Sequence, residues 1–268
     1  MKLAEDKAHR ERIWDNLTAT ADVEGDPALI HQHELLPCVR KGVAARWAKK
    51  RGHNLTDRKS ALYFLRGHSA EALIKRSESS LRVVHHGVLC SVDWWHGGKC
   101  HFTEIKSTTL SSRAAWELLR SGEMPLETAH KFASWFKQCA TYCTAFGIRS
   151  CRLLVFFLHG EYAERRRKCP ECSGPLEDGR LFKTCQSCGY KSYRIDLRSY
   201  ILEFTKEELE VIESDVFWTR LSEFLEAQRQ TTPEGIITKT TPTPGFLCWS
   251  CEAGKLVACP FFGSTEYE

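Results

Sequence analysis

Two cysteine pairs constrain this chain more than any other feature: Cys169-Pro170-Glu171-Cys172 and Cys185-Gln186-Ser187-Cys188 are CxxC knuckles with 12 residues between them. Each knuckle aims two thiolates at one point, and four thiolates in tetrahedral array suit structural Zn²⁺. The segment from Arg165 to Tyr190 is therefore expected to form a small zinc ribbon. It interrupts two β-patterned runs, Cys151 to Leu158 and Tyr193 to Phe204, so it reads as an elaborated connection inserted into a larger core. The chain carries 13 cysteines in 268 residues. That is below the roughly 8–10% typical of a short secreted disulfide scaffold. The N-terminus, MKLAEDKAHRERIWDNL, is charged throughout and lacks an apolar signal-peptide segment. Nowhere does an apolar run approach the roughly 18 residues of a membrane span. The expectation is a cytoplasmic protein with no membrane partner, in which close-set cysteines hold metal rather than disulfides. A net charge of +4 permits a polyanionic partner but does not argue for one.

Periodicity divides the rest of the chain. Val39, Val43, Ala44 and Trp47 recur at helical spacing between Leu36 and Arg51, with Arg40, Lys41, Arg46, Lys49 and Lys50 forming a basic outer face. A second helix is predicted from about Asp57 to Arg76 and carries His68. Leu81 to Val92 and Lys99 to Lys106 then read as strands, with Trp94-Trp95-His96-Gly97-Gly98 as the hairpin turn between them. Helical patterns follow at about Ser112 to Ser121, Leu126 to Phe146 and Lys206 to Arg229. Gln230 to Pro244, rich in Thr and Pro, reads as an extended linker.

Side chains alternate along a strand, so Glu104 and Lys106 share a face, and a hairpin brings Asp93 beside them. Two carboxylates and an ammonium in one pocket suit a hard divalent cation, Mg²⁺ or Mn²⁺, held through oxygen, with a lysine near the attacking water. An isolated match of this kind also describes a surface ion pair. Gln138 and Tyr142, four apart on a later helix, share a face and can reach one phosphate or water together.

In this order, Gly67-His68, Asp93, Glu104-Ile105-Lys106 and Gln138-Cys139-Ala140-Thr141-Tyr142 resemble the PD-(D/E)xK nuclease superfamily and its RecB-like branch. The resemblance implies an α/β fold of the restriction-endonuclease type, a mixed sheet flanked by helices. It further implies that His68, Asp93, Glu104 and the Ile105 carbonyl ligate Mg²⁺ or Mn²⁺, that Lys106 assists the nucleophilic water, and that Gln138 and Tyr142 orient the substrate. The expected activity is metal-dependent hydrolysis of DNA. Val92 stands where the family's name motif has proline.

A second cysteine set, Cys248, Cys251 and, after seven residues, Cys259, is one ligand short of four, and Cys38 beside the basic helix is the candidate partner. One cysteine near the N-terminus and three near the C-terminus resemble the iron–sulfur members of the RecB-like branch, the Cas-four exonucleases of CRISPR systems and the nuclease domain of AddB. That resemblance implies a [4Fe–4S] cluster clasping the N- and C-terminal segments, with zinc as the alternative. It also implies trimming of single-stranded DNA or DNA ends before spacer integration, with the CRISPR spacer integrase as partner. The seven-residue interval before Cys259 is longer than usual there. Arg40, Lys41, Arg46, Trp94 and Trp95 are candidate DNA-contacting residues, a basic groove with stacking surfaces. Cys90, Cys100, Cys139, Cys143 and Cys151 lack metal spacing and are expected to be small buried residues.

The expected organisation is an N-terminal helical segment (1–34), a nuclease core (35–164 and 191–229), the inserted ribbon (165–190), a linker (230–247) and a cysteine tail (248–268). A stand-alone repair, viral or mobile-element nuclease shares all these motifs. A non-catalytic zinc-ribbon nucleic-acid-binding protein would explain the knuckles, but not the ordered acidic set.

Overall fold

The computed structural model describes residues 29–36, 38–53, 80–96, 101–108, 112, 126–158, 168–169, 171–179, 182–193, 196–242 and 251–260, the side chains of 126–131, 193 and 252–253 excepted. Its strands are β1 (Ile30–His31), β2 (Leu81–His85), β3 (Val88–Val92), β4 (Trp94–Trp95), β5 (Phe102–Thr108), β6 (Ser150–Phe157), β7 (Leu176–Asp178), β8 (Phe182–Cys185), β9 (Lys191–Tyr193) and β10 (Asp196–Glu203). Its α-helices are α1 (Gln32–Leu35), α2 (Val39–Lys49), α3 (Leu126–Phe146), α4 (Lys206–Ile212), α5 (Leu221–Ala227), α6 (Pro233–Thr238) and α7 (Glu252–Leu256), with a π-helical segment, Glu213–Arg220, joining α4 to α5.

The main sheet has the order β10-β6-β5-β4 and is mixed: β5 and β6 are parallel, while β4 and β10 run antiparallel to their neighbours. Parallel neighbours need a crossover, and α3 lies in the one between β5 and β6. Cys151, Leu153, Val155 and Phe157 alternate inward along β6, and Phe132, Cys139 and Cys143 of α3 belong to the same core. A second sheet, β1-β3-β2, carries Val88, Cys90 and Val92 into that core. The chain passes from this sheet to the main one at Asp93, between β3 and β4.

Several expectations need correction. Leu81 to Val92 is two strands, turned at His86-Gly87, where both residues have positive φ (49° and 82°) as a two-residue type I′ hairpin requires. Trp94 and Trp95 belong to a strand rather than to a turn, paired with Thr103 and Phe102. Ile30–His31 in the expected helical N-terminal segment is a strand running parallel to β3. The expected linker holds a helix, α6, where Thr232 accepts from the Gly235 N–H and Pro233 occupies the first turn. Ile236 of α6 is fully buried, so this stretch packs into the core. The expected helices at Asp57 to Arg76 and Ser112 to Ser121 fall outside the described residues, apart from Ser112.

Candidate active site and metal centres

The acidic pocket follows from strand register. Trp94 pairs with Thr103, so Asp93, one step back, stands beside Glu104. The Ile105 N–H donates to Asp93 Oδ2 at 2.8 Å, holding that carboxylate against β5. Lys106 Nζ donates to Glu104 Oε1 at 2.6 Å, the same-face pairing expected two residues apart. Glu104 is only 2% exposed and its other oxygen, Oε2, has no hydrogen-bond partner among the described residues. An unpaired buried oxygen of this kind costs about 1–3 kcal/mol, and more when charged. Burial works to push the Lys106 ammonium down, but the carboxylates of Glu104 and Asp93 outweigh it and hold its pKa above the usual lysine value.

Helix α3 closes the pocket. Gln138 Nε2 donates to the Tyr142 hydroxyl at 3.0 Å, and the Tyr142 ring meets Phe102 of β5 edge-on, 5.7 Å between centroids. Burial, and then the Glu104 carboxylate, push the Tyr142 phenol well above its usual range, outweighing the Gln138 bond, so it stays protonated. Behind it Cys139, Cys143 and Cys151 are buried together, and hydrogen bonding to Cys151 and then burial hold the Cys139 thiol well above its usual value. These are packed thiols, not thiolate ligands. Asp93, Glu104, Lys106, Gln138 and Tyr142 are thus brought into one neighbourhood, and His68 lies outside the described residues.

The four ribbon cysteines converge. Cys169 and Cys188 Sγ are 3.6 Å apart and Cys172 and Cys185 Sγ 3.4 Å, with all four thiols within 4.8 Å of one another. A tetrahedral ion at the Zn–S distance separates its sulfurs by about 3.8 Å, so this set fits zinc with little movement. Burial opposes ionisation of Cys185, yet N–H groups of Cys188 and Ser187 and the neighbouring thiols bring its pKa down to about 6. The sheet β7-β8-β9 frames the site and, among the described residues, pairs only with itself.

Around the second cysteine set, α7 packs on α2, whose N-cap residue is Cys38. Cys251 and Cys259 flank Gly254, where a Cβ would meet Cys251 Sγ at 3.2 Å and Cys259 Cβ at 3.4 Å. Cys248 lies outside the described residues. Among the described residues, Cys38, Cys251 and Cys259 are not gathered within 4.8 Å as the ribbon cysteines are.

The basic outer face of α2 is only partly outer. Arg40 is 4% exposed: it donates from Nε to Thr240 Oγ1 at 2.9 Å, from Nη2 to the Thr240 and Ile237 carbonyls, and from Nη1 to Cys259 Sγ at 3.5 Å. It ties the C-terminal segments to α2 and is not a surface cation. Arg46 is half-buried, paired with both Glu34 oxygens at 2.6 and 2.7 Å and set over the Phe224 ring. Lys41 is half-buried, and Lys49 and Lys50 are exposed. Trp95 stacks on Phe146, and Trp94 meets His96. Trp95 therefore has at least one ring face used in packing.

Sequence reasoning passed over one group of ligand-type residues, His85, His86 and Glu213. The His-His-Gly turn is a visible local signal, but the acid is 128 residues beyond His85.

No family model matches the chain, and no curated protein matches it. Among solved structures it is similar to the crystal structure of SSO0001, at 13% identity and a TM-score of 0.48, over 95% of this chain and 97% of that one. It is also similar to an alkaline exonuclease (LHK-Exo) from Laribacter hongkongensis, at 13% identity and a TM-score of 0.40, over 80% of this chain and 94% of that one. A third is a phage-related exonuclease from Haemophilus somnus 129PT, at 11% identity and a TM-score of 0.39, over 71% and 83%. At this level of similarity the chemistry has to be read from the chain's own side chains. No described helix is long and apolar enough to cross a membrane.

Proposed function

We propose that the chain is a divalent-metal-dependent nuclease acting on DNA, with Asp93, Glu104 and Lys106 at its reacting centre. The observation that carries this is the buried Glu104 carboxylate, with one oxygen held by Lys106 and the other without a partner among the described residues, beside a second carboxylate that Ile105 fixes in place. A carboxylate oxygen left bare in a buried site has a natural complement in a hard cation, and the oxygen donors suit Mg²⁺ or Mn²⁺. Asp93, Glu104 and the Ile105 carbonyl would hold it, with His68 as the further ligand that the resemblance suggests. Such an ion would supply charge neutralisation at the phosphoryl oxygens and an acidified water.

The chain's own residues do the rest. Lys106 carries a positive charge at the pocket and stands close enough to steady a phosphate oxygen or a water. The protonated Tyr142 hydroxyl and the Gln138 amide can donate to the same phosphodiester. The substrate we favour is single-stranded DNA or a DNA end, processed before CRISPR spacer integration, as in the Cas-four exonucleases. The iron–sulfur clasp of that resemblance would use Cys38, Cys248, Cys251 and Cys259. Gly254 brings its backbone against both Cys251 and Cys259, where a Cβ would crowd Cys251 Sγ at 3.2 Å.

The test is release of label from end-labelled single- and double-stranded DNA in Mn²⁺. Lys106→Ala and Asp93→Ala should each lose at least about 100-fold in rate, the loss of several kcal/mol of barrier lowering. Undiminished cleavage by both variants would refute the reading. Brown protein from anaerobic purification that bleaches in Cys251→Ser supports the clasp, whereas colourless protein holding zinc there refutes it.

A further inference from the structure

We propose that His85, His86 and Glu213 form a binding site for a divalent transition-metal ion of the zinc class, separate from the acidic pocket and from both cysteine sets. His85 Nε2 lies 2.9 Å from Glu213 Oε2 and 3.2 Å from Oε1, and His86 Nε2 lies 2.8 Å from Oε1. Two imidazoles thus present the same ring nitrogen to one carboxylate, and the three donor atoms fall within 4.8 Å of one another. Zinc bonds of 2.0–2.2 Å to nitrogen and oxygen separate tetrahedral ligands by about 3.3–3.5 Å. Opening the present contacts by roughly half an ångström would admit the ion without rebuilding the backbone.

Local structure holds the donors in place. The type I′ turn puts His86 at a φ of 49°, a conformation that histidine tolerates better than most residues but for which asparagine is preferred. His85 meets Phe217 edge-on at 4.6 Å, and His86 lies against Trp218 at 4.5 Å, so aromatic packing sets both ring orientations. Glu213 opens the π-helical segment, a rare geometry that recurs at functional sites. The three side chains are 27%, 37% and 28% exposed, which leaves an open side for water or another ligand. The donor chemistry differs from that of the acidic pocket: imidazole with one carboxylate selects zinc, cobalt, nickel or iron over Mg²⁺. An ion here would pin the β2–β3 hairpin to the helix, and β3 runs directly into Asp93.

The test uses the full chain, stripped with chelator and titrated with Co²⁺ or Zn²⁺ alone. His86→Asn keeps the turn, because Asn-Gly is its favoured pair, and Glu213→Gln keeps the shape of the acid. Wild type should bind one more equivalent than either variant, and the Co²⁺ spectrum of that equivalent should lack the thiolate charge-transfer bands of the ribbon. A second measurement needs no variant: Zn²⁺ at tenfold its dissociation constant should slow diethyl pyrocarbonate modification of His85 and His86 about tenfold, read by mass spectrometry. Equal stoichiometry in all three proteins, or modification unchanged by Zn²⁺, would overturn the proposal.

Discussion

Glu104 is the residue at which sequence and physics meet most closely. Its pairing with Lys106 follows from strand alternation and was legible in the E-x-K spacing, because that geometry is local to β5. The bare Oε2 was not legible, since it depends on what α3 and β3 leave around it. If a divalent ion fills that vacancy in hydrogen bonding, binding stabilises the fold by mass action. At a hundredfold excess over the dissociation constant the gain is about 2.7 kcal/mol, or roughly 5–10 °C in melting temperature for a chain of this size. Mn²⁺ should therefore raise the thermal midpoint of the wild type by that amount, and Glu104→Gln should abolish the shift, measured by scanning calorimetry. Arg40 teaches the opposite lesson at this scale. A cation on an amphipathic helix reads as solvated, and only the fold reveals Thr240 and Ile237 accepting from it.

At the scale of elements, the rod from Lys206 to Ala227 was legible as one helix because its apolar spacing is helical throughout, but its π segment was not. The segment's contacts are spaced five apart: Thr219 Oγ1 donates to the Ser214 carbonyl and Arg220 Nε to Asp215. Such spacing places residues on different faces of an α-helix, so a reader using the α period sees no pair. The β2–β3 turn escaped for a related reason, since His-Gly is a less usual type I′ pair than Asn-Gly. Asp215 also binds Lys137 of α3 at 2.5 Å, joining the π segment to the crossover helix. Burial resists its ionisation, but Lys137 and Arg220 outweigh that and hold its carboxyl below the usual value. A depressed carboxylate contributes stability that is full above its unfolded value, about 3.9, and is lost as pH falls through the folded one. Because the pair is partly solvated, Asp215→Asn should cost only about 1 kcal/mol near neutrality, or roughly 2–4 °C. The difference from wild type should shrink below about pH 4 in melts across pH. A difference that persists there would mean that Asp215 acts through packing instead.

Across the whole molecule, the chain separates into a ribbon that stands on its own sheet and a core closed by its C-terminal segment. The four-cysteine cluster was legible because metal-ligand geometry is written in short spacings, which survive any fold around them. If the four cysteines hold zinc, replacing the exposed Cys172 and Cys188 by serine should remove one zinc equivalent, read by metal analysis, and leave the core's melting temperature unchanged. The closure was only half legible: distant cysteines suggested that the ends meet, but the buried Arg40 that reaches Cys259 from α2 carries no such signal in the sequence. Val257 is fully buried in the core, and α7 packs on α2. Buried Arg40 reaches Thr240, Ile237 and Cys259 from α2, so its guanidinium is shared between α6 and the tail. Ending the chain after Pro242 removes Val257, worth about 1.5–3 kcal/mol of burial, and takes Cys259 from Arg40. Arg40→Met keeps the apolar stem but leaves the Thr240 and Ile237 carbonyls without their charged donor, at about 1.5–3 kcal/mol for each bond lost. Because both changes act through Arg40, their effects should be less than additive. The truncation should lower the midpoint by roughly 3–12 °C, and the double variant should fall short of the summed single losses, as read by calorimetry under reducing conditions. Full additivity would show that the tail and Arg40 hold the core independently.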